Sequence, residues 1–192
     1  MKKVFIIHGF EAWPNGGWRP WLMGELYSNR IFSVSLEMPN PKFPKMNEWV
    51  SKIKEEVKNP SSDKYLIGHS LGVPAILRYL ETLKDNEKIG GVILVSGPFG
   101  KLDKDNHSSR ARLLDDFFDK EFDFDHIKKV CNKFYIIHNT FDKVVPYVNA
   151  ELFSKNLDIP IIKIEREHDG HLGDEPFCNK LPEILDLILK NI

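Results

Sequence analysis

Six short apolar runs constrain the fold of this chain more than any single residue does. They are Val4–Ile7, Phe32–Leu36, Tyr65–Ile67, Val92–Val95, Phe134–Ile137 and Ile161–Ile164. Most are rich in Val, Ile, Phe or Tyr and are bounded by Gly, Pro, Asn or Ser, as buried strands are. Segments of helical periodicity fall near Trp18–Tyr27, Asn47–Val57, Gly72–Leu83, Tyr147–Asn156 and Leu181–Leu189. In the second of these, Trp49, Ile53 and Val57 recur at i, i+4 and i+8, an apolar stripe facing a core. Strands alternating with helices predict an α/β fold: a parallel sheet covered by helices on both faces. With 192 residues and 42% hydrophobic content, one domain over 1–192 is expected. No repeat, low-complexity tract or linker divides the chain.

Two stretches break the rhythm. Residues 98–129 are strongly charged and carry Phe117, Phe118, Phe122 and Phe124 without a clean strand. An insertion there, between the fourth and fifth strands, has the place of a cap over an active site. The competing reading is a surface helix packing its phenylalanines into the core, and the sequence leaves the two open. The proline-bearing stretch Pro39–Pro44 reads as a connector.

Composition narrows the function classes. Lysine and arginine total 27 and aspartate and glutamate 28, a formal charge of −1. That balance gives no support for a nucleic-acid or anionic-membrane partner. Lys2 and Lys3 before an apolar run imitate a signal peptide, but four apolar residues are too few for its core. No segment approaches the roughly 20 apolar residues that span a bilayer. Cys131 and Cys178 form no CxxC or ligand cluster and read as reduced thiols. A cytoplasmic location is the expectation.

The chemistry centres on Gly68-His69-Ser70-Leu71-Gly72, between the run Tyr65-Leu66-Ile67 and a helical segment. G-x-S-x-G in a strand–turn–helix setting is a nucleophile elbow. Its glycines let strand and helix approach closely while serine takes a strained backbone conformation. Ser70 then stands at the carboxyl end of the sheet, above a helix N-terminus that favours a developing oxyanion. His69, adjacent to the serine, is a poor base and reads as structural.

A serine hydroxyl needs a general base held in one tautomer. In such elbows the acid and then the histidine follow the serine on later strand-end loops. After the fifth strand comes Asp142, before Pro146; after the sixth comes Glu165-Arg166-Glu167-His168-Asp169-Gly170-His171-Leu172-Gly173. Gly170 and Gly173 flank His171 and favour it as the base over His168, which sits among charged neighbours. Asp142 has an alternative as a helix cap, and Asp169 is the fallback acid. A zinc site on the H-D-G-H pair lacks further ligands, so no metal or organic cofactor is expected. The oxyanion donors expected are the backbone N–H groups of Leu71 and Phe10, the latter on the His8-Gly9-Phe10 loop. Trp13, Trp18 and Trp21 either wall an acyl pocket or pack the first helix.

With these residues in place, the chain resembles the small serine hydrolases of the retinoblastoma-binding-protein and YdeN-like type, within the α/β-hydrolase superfamily. The likeness rests on His8-Gly9, Trp18 to Trp21, Met38-Pro39-Asn40-Pro41, Trp49, Gly68 to Gly72, Pro74 to Arg78, Leu94 to Gly97, Asp142 before Val145-Pro146, and Gly170-His171. It implies a Ser70–Asp142–His171 triad on a six-stranded parallel sheet of order 2-1-3-4-5-6. The L-x-C-x-E signature is absent, because neither cysteine has Leu two residues before and Glu two after. A retinoblastoma-type partner is therefore not supported. The expected activity is cleavage of a small ester, thioester or amide. The alternative is a hydrolase-fold binding protein, against which an intact triad argues.

Overall fold

A computed structural model describes residues 2–101, 112–173 and 178–191. The six apolar runs form one parallel sheet: β1 (Lys3–Ile7), β2 (Phe32–Leu36), β3 (Lys64–His69), β4 (Gly91–Val95), β5 (Phe134–Asn139) and β6 (Ile161–Ile164). The strand order is β2-β1-β3-β4-β5-β6, as the resemblance implies. Six α-helices are present among the described residues: α1 (Arg19–Ser28), α2 (Met46–Val57), α3 (Gly72–Leu80), α4 (Phe124–Val130), α5 (Val148–Leu157) and α6 (Pro182–Asn191). None is long and apolar enough to cross a membrane.

Alternation along the strands divides the core into two layers. Phe5, Ile7, Leu66, Val92, Leu94 and Ile136 face one way, joining Trp49 and Ile53 of α2, Ile76 and Leu80 of α3 and Phe153 of α5. Val4, Ile6, Ile67, Ile93, Val95 and Ile137 face the other, joining Trp18, Leu22 of α1 and Ile184, Ile188 of α6. Because both faces are covered, the central strands read as continuous apolar runs. Every residue of β4 is buried, whereas Phe32 on the edge strand β2 is exposed.

Register sets the carboxyl edge. Ile7 pairs with Gly68, His69 with Val95, Val95 with Ile137 and Asn139 with Ile164. The loops after β1, β3, β5 and β6 therefore leave the sheet on one side.

Two expectations shift at their ends. Helix α3 stops at Leu80 rather than Leu83. Its last turn tightens: Thr82 N–H donates to Tyr79 O, Leu83 N–H to Leu80 O, and the Thr82 hydroxyl to Tyr79 O as well. The cap-like insertion expected over 98–129 includes 102–111, which lie outside the described residues. Its described remainder holds α4, which the sequence periodicity did not reveal because it is only seven residues long. Asp123 caps it by accepting His126 N–H at 3.0 Å.

Phe117 is fully buried, edge-on to Trp49 at 5.7 Å, while Phe118, Phe122 and Phe124 are partly buried against the core. Arg78 of α3 holds this segment. Its guanidinium donates to the carbonyls of Phe117, Lys120 and Glu121, pairs with buried Glu81, and lies 4.2 Å from the Phe122 ring. A buried guanidinium needs this many acceptors, because each unpaired N–H would carry its full desolvation cost.

Candidate active site

Ser70 occupies the turn between β3 and α3 with φ of 52°, the left-handed conformation expected of an elbow. The strain is held from two sides. Ser70 N–H donates to Val95 O at 2.9 Å, and Val73 N–H donates to Ser70 O at 2.9 Å. Gly9 lies directly against the serine: a Cβ at Gly9 would stand 2.8 Å from Ser70 Cβ. A Cβ at Gly72 would stand 2.3 Å from Ile7 O. Gly72 lets the backbones of β1 and α3 touch, and Gly9 leaves room for the Ser70 side chain.

Asp142 is buried in the loop after β5, and each carboxylate oxygen has its own task. Oδ1 accepts the N–H groups of Val144 and Val145 at 2.9 and 2.8 Å, an Asx-type turn. Oδ2 accepts from His171 Nδ1 at 2.8 Å. The helix-cap alternative does not hold: the following helix, Val148–Leu157, has Tyr147 at its N-cap and no side-chain cap, and Oδ1 instead holds the turn that precedes it. With Nδ1–H donating, Nε2 of His171 is left as the acceptor nitrogen. His138, buried beside the pair, donates Nε2–H to Val145 O at 2.8 Å and lies 3.6 Å from Asp142 Oδ2. Burial lowers the His138 pKa, so the ring sits there neutral.

The two loop histidines differ in position. His168 is exposed in a short 3₁₀ turn, Glu167–Asp169. Asp169 pairs with Arg166 at 3.1 Å, and Arg166 also pairs with Glu183. His171 faces Asp142 because Gly170 and Leu172 on either side both take positive φ, 34° and 52°. The expectation placed that freedom on Gly170 and Gly173. Gly173 serves instead as clearance, since a Cβ there would approach His69 Cε1 at 3.0 Å.

Sequence reasoning also missed what surrounds His171. His69 is buried with its ring centroid 4.9 Å from that of His171. Burial first, and the neighbouring His171 second, hold its pKa well below the ordinary value. Asn139, at the end of β5, donates to Arg166 O and Gly170 O. The motif signalled only glycines two positions either side of the serine, and nothing in β5 marked Asn139.

Around Ser70, Leu71 begins the turn into α3, and among the described residues no carbonyl accepts its N–H. Phe10 follows Gly9 on the loop that touches the serine. His8 anchors that loop: Met38 N–H donates to its Nε2 at 3.3 Å, and Nδ1 lies 2.8 Å from Gly9 O. Among the described residues Ser70 Oγ makes no hydrogen bond, and none joins it to His171. Contacts of this kind often tighten only with substrate bound. Of the three tryptophans, Trp18 is core, Trp21 is partly buried and Trp13 is exposed.

The family described as Serine hydrolase matches residues 4–190. The hydrolase YdeN of Bacillus subtilis (strain 168) is 32% identical over 187 residues, covering 97% of this chain and 94% of that protein. Its crystal structure superposes with a TM-score of 0.90 at 30% identity, over 100% of this chain and 98% of that one. The serine hydrolase RBBP9 of Rattus norvegicus is 25% identical over 162 residues, covering 84% of this chain and 81% of its own length. Est1E of Butyrivibrio proteoclasticus shares the fold, with a TM-score of 0.72 at 18% identity over 99% of this chain and 88% of its own.

Proposed function

Because this chain belongs to the serine hydrolase family, we propose that it cleaves a small carboxylic ester, or a thioester or amide, through an acyl-enzyme intermediate. Ser70 Oγ attacks the carbonyl carbon while His171 Nε2 takes its proton. Asp142 Oδ2 holds the Nδ1–H tautomer and balances the imidazolium that forms. The tetrahedral oxyanion is received by the N–H groups of Leu71 and Phe10. His171 then returns the proton to the departing alkoxide, thiolate or amine, leaving the acyl group on Ser70. Water, deprotonated by the same nitrogen, releases the acid and restores the serine. An ester asks least of such a site, since its alkoxide leaves more readily than an amine.

The observation carrying this reading is the 2.8 Å contact between His171 Nδ1 and a carboxylate buried in the loop after β5. Every step is served by side-chain and backbone groups alone. Cys131 offers no rival nucleophile: burial pushes its thiol up to about 12, so the thiolate is scarce at neutral pH. Cys131 and Cys178 are both buried and no disulfide joins them, which supports a reducing, cytoplasmic setting.

Covalent labelling by a fluorophosphonate tests the proposal. Wild-type protein should label, and Ser70→Ala should abolish labelling and lower p-nitrophenyl acetate turnover by about 10³-fold or more. Full labelling of Ser70→Ala would remove the nucleophile assignment. A binding protein without chemistry would fail to label at all.

A further inference from the structure

Three successive carbonyls in the histidine loop are each held by a buried side chain from a different element. Gly170 O accepts from Asn139 Nδ2 at 3.0 Å, at the end of β5. His171 O accepts from His69 Nε2 at 3.0 Å, at the end of β3. Leu172 O accepts from Trp18 Nε1 at 2.8 Å, at the start of α1. Trp18 and Asn139 are fully buried and His69 nearly so. Donors and acceptors of this kind are costly to bury unpaired, so each bond has few alternatives.

The main chain they grip is strained. Leu172, a fully buried non-glycine residue, holds φ of 52°, beside Gly170 at 34°. A left-handed leucine is costly, because its Cβ crowds the following carbonyl oxygen. A loop free to relax would release that cost by rotating the peptides on either side of His171. Rotation would swing the imidazole away from Asp142.

We propose that Trp18, His69 and Asn139 are positioning residues, a three-point clamp on the main chain that fixes the His171 ring against Asp142. Asn139 locks the base of the loop, since its Oδ1 also accepts Arg166 N–H at 3.3 Å while Nδ2 donates to Arg166 O at 2.7 Å. His69 acts at the histidine itself and adds ring contact. Its donation to a carbonyl requires the Nε2–H tautomer, and its Nδ1 has no partner among the described residues. The ring thus serves one bond only. Trp18 closes the far side, and its indole packs edge-on to His69 at 6.4 Å. Asn139 and Trp18 act through the main chain on either side of His171, and His69 through the His171 carbonyl and the packing of its ring.

The clamp rests on the triad reading, and the test separates the two. His69→Leu removes the donor. His69→Gln restores one near the Nε2 position, and Trp18→Phe removes the indole N–H while keeping an aromatic ring. With p-nitrophenyl acetate, His69→Leu should lower kcat by about 10- to 100-fold with KM within about twofold, as misplacement of a catalytic group does. His69→Gln should recover most of that loss. Trp18→Phe should lower kcat by about three- to tenfold with circular dichroism unchanged, and it carries the test if His69→Leu does not fold. A merely structural role would lower the melting temperature without separating kcat from KM, and without rescue by glutamine. Wild-type kcat in Trp18→Phe and in folded His69→Leu overturns the clamp. So does a His69→Gln as impaired as His69→Leu. If Ser70→Ala itself retains turnover, the triad falls and the clamp with it. If Ser70→Ala is dead while the clamp variants turn over normally, only the clamp falls.

Discussion

Asp142 divides its labour between two oxygens, and this makes its replacement by asparagine informative. Oδ1 anchors the Val144–Val145 turn and Oδ2 receives His171. Asparagine at this position would keep the turn through its amide oxygen and present N–H₂ to the histidine, favouring the wrong tautomer. We expect Asp142→Asn to stay folded by circular dichroism and to lose activity steeply, toward the roughly 10⁴-fold seen in serine proteases. Turnover near wild type would reduce Asp142 to a turn former. His171→Ala should lose nearly as much as Ser70→Ala, while exposed His168→Ala should change kcat by less than about threefold. Reversed severities in the same assay would make His168 the base. Ser70, Asp142 and His171 were legible in the sequence because an elbow motif fixes one residue and chain order restricts the other two. His69 and Asn139 were not, because their donors reach main-chain carbonyls far along the chain, and a carbonyl belongs to every residue type.

Elements meet at the elbow with backbone in contact, and two glycines report on two different contacts. Alanine at position 72 would drive a methyl group to 2.3 Å from Ile7 O and 2.9 Å from His8 O, both rigid backbone atoms. Helix α3 would have to move off β1, so Gly72→Ala should cost about 1–3 kcal/mol of stability, measured by chemical denaturation. Alanine at position 9 meets the Ser70 side chain instead, 2.8 Å from Cβ and 3.3 Å from Oγ. Gly9→Ala should therefore reduce fluorophosphonate labelling more than it reduces the melting temperature. A Gly9→Ala protein labelling at the wild-type rate would mean that the β1 loop does not constrain the serine. Strand boundaries at β2 and β6 match the expected runs to the residue, although both are edge strands in which only Leu36 and Ile164 are buried. The ends of α3 and the presence of α4 depended on side-chain bonds from Thr82 and Asp123, which periodicity does not encode.

At the scale of the whole molecule, two buried neutral histidines couple stability to pH. Burial lowers the pKa of His69 and His138 from an ordinary value of 6.5, His69 further through His171, Arg19 and His8 nearby. The unfolded chain protonates both near 6.5 while the folded protein resists. Stability is therefore full above that pH and falls as pH drops below it, by up to about 1.4 kcal/mol per pH unit for each histidine. Denaturant midpoints at pH 7.5, 6.5 and 5.5 should show this decline, and His69→Leu should flatten it. An unchanged slope in that variant would exclude His69 as a source. The hydrogen bond from Trp18 to Leu172 joins residues 154 positions apart, and that from His69 to His171 joins residues 102 apart. Closing such separations carries an entropy cost that is recovered only once the intervening sheet is assembled. In a refolding experiment the helical signal should thus return before the capacity to be acylated, making enzymatic competence a clock for the last docking event.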